Sequence, residues 1–300
     1  MEIKNFSRIK GAVDVQMLRN AHIIGIGAGG AYCLYDSLAR SGVGQLTVFD
    51  FDDVEEVNIV RQGYETNQIG QLKVDALGDH LKKVNEGTRY KGIVKNFLQM
   101  SESELDETFG KADLLLFLTD SFKAQAYGNT LALKYQKPAI WAGFYEKSQC
   151  AEIVFTIPGV TPACFRCAVS PRYKAQEESS DGIAVSSNCN TIFHSQLLDA
   201  YVGMIALAIL HNNTTGFEYS NWFGKNWNRN LIQIKVNPAY GTEQGSLFQR
   251  VFEPTEGRCP NFNAIWQRIE EERPPKYEHC PDCGGTGDLR HIQIFTEQKS

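Results

Sequence analysis

The sequence predicts an α/β fold: a doubly wound, mostly parallel, Rossmann-like sheet, with a C-terminal segment stapled back by metal-binding cysteines. Three observations predict it. Short apolar runs alternate with helix-spaced stretches over the first half of the chain. A glycine-rich turn joins the first apolar run to the first helix. Two C-x-x-C pairs stand far apart, at Cys164/Cys167 and Cys280/Cys283.

Residues 1–20 read as an amphipathic arm. A-H-I-I-G-I-G, from Ala21, is an apolar run ending in glycine and reads as a buried strand. From Ala31 to Ser41 the spacing is helical, with Leu34 and Leu38 on one face. Q-L-T-V-F-D-F-D is a second strand, which completes a βαβ unit of a parallel sheet. A helix over Lys73–Val84 places Val74, Leu77 and Leu81 on one face. A-D-L-L-L-F-L-T-D is another buried strand, ending in Thr119 and Asp120. Residues 123–136 are helical, and K-P-A-I-W-A-G-F-Y and A-E-I-V-F-T-I-P-G read as two more strands. After Cys167 the pattern weakens. Residues 171–188 are polar and read as a loop. Ile192–Leu210 reads as a helix, Leu231–Val236 as a strand and Ala264–Glu272 as a helix. Two domains are expected: 1–211, with a crossover loop near 171–188, and 212–300, which closes the metal site.

Composition narrows the function classes. The 300 residues are 42% hydrophobic, enough for a sizeable core, and carry a net charge of −5 with no dense Lys/Arg block. That excludes a nucleic-acid footprint. M-E-I-K-N-F-S-R-I-K-G lacks the apolar core of a secretory signal. The longest apolar stretch, Leu197–Leu210, contains Asp199 and Tyr201 and reads as a buried helix rather than a bilayer span. No membrane segment is expected, and a cytoplasmic location is. In such a reducing compartment, paired cysteines suggest metal before disulfide.

Gly25-Ile26-Gly27-Ala28-Gly29-Gly30 matches G-x-G-x-x-G between a strand and a helix. The first glycine permits a tight turn, and the second lets backbone approach a phosphate. The helix N-terminus offers unpaired N–H groups and a positive dipole end. Glycines also mark ordinary βα turns, so the motif alone does not choose a ligand. Asp50 closes the second strand, where a carboxylate accepts hydrogen bonds from ribose hydroxyls or faces solvent. The text that follows favours ATP over NAD: D-F-D-D-V-E-E-V-N-I-V-R-Q from Asp50 to Gln62, then G-Q-L-K at 70–73. Phosphoryl and nucleotidyl transfer need positioned positive charge, which Arg61 and Lys73 supply. Asp120, at the C-terminal end of a strand, suits Mg2+ over the phosphates.

Four thiolates in two C-x-x-C turns make a closed tetrahedral set suited to structural zinc. Of the eight cysteines, Cys33 and Cys150 read as core and Cys259 has no functional reading. Cys189, in S-S-N-C-N-T ahead of the apolar helix, sits where a helix N-terminus favours a nucleophilic thiolate. His194, five residues past Cys189, reads as a cap or core residue.

D-x-D-x-V-x-x-x-N-x-x-R-Q with G-Q-x-K, followed by T-D after an apolar strand, resembles the ThiF/MoeB/HesA family, bacterial relatives of ubiquitin-activating enzymes. The resemblance covers roughly residues 6–211 and the last C-x-x-C. It implies that Asp50 binds the ATP ribose. Asn58, Arg61 and Lys73 would contact the phosphates, and Asp120 would coordinate Mg2+ and organise the substrate carboxylate. Asp52 and Gln62 of the same string, with Gly25, Gly27, Gly29 and Gly30, complete the nucleotide-binding set. Arg8 is similar to an arginine that family members donate to the partner protomer, which implies a homodimer; it reads equally as a surface arginine. P-A-C-F-R-C and H-C-P-D-C-G look like the family's zinc pairs. The chain departs from the usual G-x-G-G-x-G-S. Ala28 replaces a glycine, Ala31 replaces the small polar residue, and the step to Gly42 is one residue longer.

The implied reaction is adenylation, by ATP, of the C-terminal carboxylate of a ubiquitin-like or sulfur-carrier protein with a glycine-ending tail. The pyrophosphate charge would be held by the helix N-terminus, Arg61, Lys73 and Mg2+. In the family a cysteine placed like Cys189 attacks the acyl-adenylate to give a thioester or acyl-persulfide, and a conjugating enzyme can act downstream. Some relatives with such a cysteine rely on adenylation alone. Three other readings stay open: adenylation of a small-molecule or tRNA-linked carboxylate, an NAD-binding oxidoreductase, and an inactive scaffold subunit. Thiamin synthesis, molybdopterin synthesis and ubiquitin-like conjugation all use the favoured chemistry.

Overall fold

A computed structural model describes residues 2–178, 188–224, 227, 230–236, 264–267 and 280–284. In chain order the first elements are α1 (Val15–Asn20), β1 (His22–Ile26), α2 (Tyr32–Arg40), β2 (Gln45–Phe49) and α3 (Glu56–Ile59). Then come α4 (Lys73–Val84), β3 (Arg89–Ile93), α5 (Glu102–Phe109), β4 (Leu114–Phe117), α6 (Phe122–Tyr135) and β5 (Ala139–Phe144). The rest are β6 (Cys150–Thr156), α7 (Phe165–Ala168), α8 (Ser170–Glu178), α9 (Ile192–Leu210), β7 (Leu231–Lys235) and β8 (Ala264–Gln267). The chain divides into two compact units interleaved along the sequence. One comprises Met1–Leu118, Lys137–Ile140 and Thr191–Gly224; the other Thr119–Gln136, Trp141–Asn190 and Lys225–Ser300.

In the first unit the strand order is β3-β2-β1-β4, followed by the start of β5. Strand β1 pairs in parallel with β2 and with β4, and β2 with β3: Ile23 lies opposite Leu46 on one side and Leu114 on the other, and Leu46 opposite Tyr90. Parallel strands are covered on both faces, so H-I-I-G-I, Q-L-T-V-F and L-L-L-F are buried almost throughout and largely apolar, which a sequence reading finds. Strand β3, R-Y-K-G-I, escapes that reading because none of its residues is fully buried, as suits an edge. Helix α2 buries Leu34, Tyr35, Leu38 and Ala39, and α4 buries Val74, Leu77 and Leu81, the faces the spacing predicts.

Helix α9 spans Ile192–Leu210, the residues the sequence predicts. Its 19 residues and hydropathy of 1.5 are enough, by length and composition, to cross a membrane. It packs instead against α2, where Gly203 lies against Leu34, and it buries Asp199, Val202, Ile205 and Ala206.

In the second unit the order is β5-β6-β7-β8, and β6, β7 and β8 are antiparallel neighbours. Every residue of β6 is buried, and Trp141 stacks on Phe165 with ring centroids 4.8 Å apart. Two readings of the sequence change here. Residues 170–178 form helix α8, not loop. Its polar sequence hides the reason: Arg172 turns inward and binds Glu152 of β6 at 3.2 Å and Gln125 of α6 at 2.8 Å. The rest of the predicted loop, 179–187, lies outside the described residues. Ala264–Gln267 is a strand, not the start of a helix; it pairs with β7 with Leu231 opposite Gln267. A short apolar run satisfies either period, and a free strand edge decides it.

Candidate functional site

The glycine turn lies in the first unit. Gly27 has φ of +100°, which only glycine adopts without strain, and its N–H donates to the Phe49 carbonyl at 2.8 Å. Tyr35 of α2 reaches back under the turn and donates its hydroxyl to the Gly27 carbonyl at 2.9 Å. A Cβ on Gly25 would overlap that hydroxyl. Gly30 is open, with Ser195 Oγ 3.9 Å from where its Cβ would stand.

Asp50 leaves β2 beside this turn. Its Oδ2 accepts the Ala28 N–H at 2.7 Å and its Oδ1 accepts the Asp52 N–H at 2.9 Å. Burial pushes its carboxyl up, opposed by those two N–H groups and by nearby Lys73. Each carboxylate oxygen retains a lone pair that suits a ribose hydroxyl. The string after Asp50 then folds back on itself. Val54 N–H donates to Gln71, Gly70 N–H to Val54 and Lys73 N–H to Asp52. This return delivers Lys73, buried at the start of α4, to Asp52, with Nζ and Oδ2 3.0 Å apart. Tyr64 closes the assembly by donating its hydroxyl to the Ala28 carbonyl at 2.9 Å.

Asn58 is buried and caps its own helix, accepting the Glu55 N–H at 2.9 Å. Its carbonyl accepts the N–H groups of Arg61 and Gln62, so it organises the segment that carries those side chains. The Arg61 carbonyl accepts the Ser195 hydroxyl at 2.9 Å. Gln62 is buried against Gly29, and its Oε1 has no hydrogen-bond partner among the described residues. An orphaned buried acceptor beside an open glycine turn fits a site completed by a polar ligand. The first unit thus brings together the glycine turn, Asp50, Asp52, Gln62 and Lys73. Arg8 is exposed on a short turn, Ser7–Ile9.

Asp120 and Cys189 belong to the second unit. Asp120 is exposed just past β4, in a turn where the Thr119 carbonyl accepts the Gln125 side chain at 2.8 Å and Ser121 caps α6. Cys189 is exposed and has φ of +65°, a left-handed conformation uncommon outside glycine. Past it, Thr191 caps α9 and exchanges hydrogen bonds with His194, the capping role that the sequence suggests for that histidine.

The four paired cysteines converge in the second unit. All are buried, and their sulfurs lie within 4.8 Å of one another. Three edges measure 3.8 Å (Cys164–Cys167), 3.9 Å (Cys164–Cys280) and 3.5 Å (Cys167–Cys283). A zinc–sulfur bond of about 2.3 Å in a tetrahedron requires edges of about 3.8 Å. The donor set therefore fits zinc. Burial pushes the Cys164 thiol well up, so four thiolates need a cation's charge. A surrounding shell is built from the motif interiors: Arg166 binds Asp282 at 3.3 Å, while Asn129 donates to Asp282 at 2.9 Å and accepts the Phe165 N–H at 3.0 Å.

Sequence reasoning missed Tyr35, Tyr64, Ser195 and Asp199 around the glycine turn. Only Asp199 carried a signal, as a carboxylate inside an otherwise apolar helix.

Known proteins share this architecture. The ThiF family profile matches residues 2–235. Ubiquitin-like modifier-activating enzyme 5 of Caenorhabditis briggsae is 26% identical over 258 residues, covering 80% of this chain and 58% of that protein. The enzyme of the same name from Gallus gallus is 29% identical over 289 residues, covering 90% and 70%. The crystal structure of E. coli MccB with ATP superposes with a TM-score of 0.60 at 18% identity, over 85% of this chain and 65% of that one; it shares the fold. The chain spans 58% of the C. briggsae relative and 39% of its Caenorhabditis elegans counterpart.

Proposed function

The chain belongs to the ThiF family, and on that premise we propose that it uses ATP to adenylate the C-terminal carboxylate of a ubiquitin-like or sulfur-carrier protein. The observation that carries this reading is the Asp50 carboxylate, held between the glycine turn and the loop that delivers Lys73. That arrangement joins a ribose acceptor to a cation for phosphate within one unit. The names of the eukaryotic relatives support a ubiquitin-like substrate.

In the reaction, a carboxylate oxygen of the carrier tail attacks the α-phosphorus of ATP and the bond to the bridging oxygen breaks. Pyrophosphate leaves, its growing charge offset by Arg61 and Lys73. Asp120, a hard oxygen donor, would hold a Mg2+ ion, which would supply further charge neutralisation. The Cys189 thiolate then attacks the acyl carbon of the adenylate, AMP departs and a thioester remains. Glycines at the end of the carrier tail suit the close backbone approach this attack requires. The active form is a homodimer in which Arg8 reaches the partner's nucleotide. A thiolate nucleophile and a four-thiolate metal site suit a reducing compartment such as the cytoplasm. A conjugating enzyme is the natural acceptor of the thioester.

ATP–pyrophosphate exchange in the presence of candidate carriers tests the first step. Lys73→Ala and Asp120→Ala should each lower exchange at least about 100-fold with the fold intact, a typical loss for one charge-stabilising group. Undiminished exchange in both removes the assigned roles. Cys189→Ala should keep exchange and lose the thiol-labile adduct with the carrier; a normal adduct in Cys189→Ala leaves adenylation as the whole reaction.

A further inference from the structure

We infer that Asp199 of α9 is a positioning residue for the nucleotide, because it caps the helix that opens the glycine turn in place of the local residue that lacks a capping group. This inference rests on the adenylation reading above.

Helix α2 begins without a cap of its own. Its N-cap position is Ala31, which has no side-chain hydrogen bond to offer. The first-turn N–H groups of a helix need acceptors from elsewhere. Asp199 supplies them from 165 positions along the chain: Oδ2 accepts the Leu34 N–H at 3.0 Å, and the Cys33 N–H also donates to this carboxyl. These are the second and third residues of α2, the two that an N-cap side chain serves. Asp199 is itself buried, at 8% exposure. Burial pushes its carboxyl well up, and the two N–H groups oppose that.

The same face of α9 makes two more contacts with the candidate site. Ser195, one turn earlier, holds the Arg61 carbonyl at 2.9 Å. Gly203, one turn later, lets α9 approach Leu34, where a Cβ would stand 3.3 Å from Cδ1. Residues 195, 199 and 203 recur every four positions and so share one side of the helix. One helix face therefore fixes both the start of α2 and the backbone of the arginine segment.

This arrangement revises where the phosphates bind. The amides of Cys33 and Leu34, with the positive end of the α2 dipole, are already engaged by a carboxylate. The pyrophosphate charge expected at the helix N-terminus falls instead to the Gly29–Gly30 backbone, Arg61 and Lys73. Asp199 holds that backbone in place without touching nucleotide.

Calorimetric titration of the full chain with MgATP, and separately with adenosine, tests the assignment. Asp199→Ala should bind ATP about tenfold more weakly, while adenosine affinity stays within about twofold, because the turn faces phosphate and not the nucleoside. Asp199→Asn keeps an oxygen acceptor and should bind ATP no more weakly than wild type. Should Asp199→Ala fail to fold, Asp199→Ser, too short to reach Leu34, is read in the same way. A folded truncation that binds ATP like wild type overturns the inference. So does one that loses ATP and adenosine equally, the mark of a merely structural cap, or an Asp199→Asn as weak as Asp199→Ala. Wild-type protein that binds no ATP overturns the functional reading and this inference together, whereas a loss confined to the Asp199 comparisons leaves that reading standing.

Discussion

Arg172 and Glu152 show how much of this molecule hides in single side chains. Glu152 is buried at 4% exposure in β6, where burial pushes its carboxyl up and Arg172 and the Tyr145 hydroxyl oppose that shift. The Arg172 guanidinium also binds Gln125 and lies over the Phe122 and Phe165 rings. Removing one partner of a buried pair leaves the other without compensation. Arg172→Ala should therefore destabilise the fold by about 3 kcal/mol, measured by urea denaturation, and adding Glu152→Gln should restore part of the loss. Sequence alone cannot find this pair, since Arg172 sits in a stretch whose composition says loop. Gly25 was legible, for an incomplete reason. As the first glycine of the motif it was assigned to the tight turn, yet the positive φ belongs to Gly27, and Gly25 is needed because Tyr35 fills the space of its side chain. Motif spacing carries no information about a tyrosine ten positions away.

At the scale of elements, the sequence was most informative where burial is two-sided. β1, β2 and β4 are largely apolar and their positions follow from that. β3 and β8 were missed or misassigned because edge pairing, not periodicity, makes them strands. Helices α2 and α4 were legible from their apolar faces, but the polar link between them was not. Asp36 of α2 meets His80 of α4 at 2.7 Å and Arg40 at 2.7 Å. Burial acts to raise the Asp36 carboxyl, but the hydrogen bonds from His80 and Arg40 win and hold it at about 2, below its ordinary 3.8. A depressed carboxyl stabilises the fold above its unfolded value and loses that contribution as pH falls from about 3.8 through about 2. Wild-type stability should decline more steeply over that window than that of Asp36→Asn. The difference should be no more than about 1 kcal/mol because the pair is partly screened by solvent. Urea midpoints at pH 5, 3.5 and 2.5 measure it.

For the molecule as a whole, the C-x-x-C spacing gave the strongest long-range information in the sequence. It paired residues 116 positions apart, and the structure brings their sulfurs to edges suited to zinc. Elemental analysis should find about one zinc per chain, as a closed four-thiolate site requires. Stripping the metal, or Cys164→Ser, should lower the melting temperature by at least about 5 °C. An unchanged melting temperature in metal-free protein would show that the cysteines cohere without a cation. The interleaving of the two units was not legible, because both recruit segments from separate parts of the chain and local composition does not record which segments meet. That interleaving bears on synthesis. The first unit has β1 to β4 by residue 118 but requires α9 and the residues to Gly224 to be complete. At about 5–20 residues per second, a ribosome takes roughly 5–20 s to deliver them. Throughout that interval the helix behind the glycine turn waits uncovered and uncapped, so the nascent chain presents its nucleotide fold to chaperones before it can present it to a nucleotide.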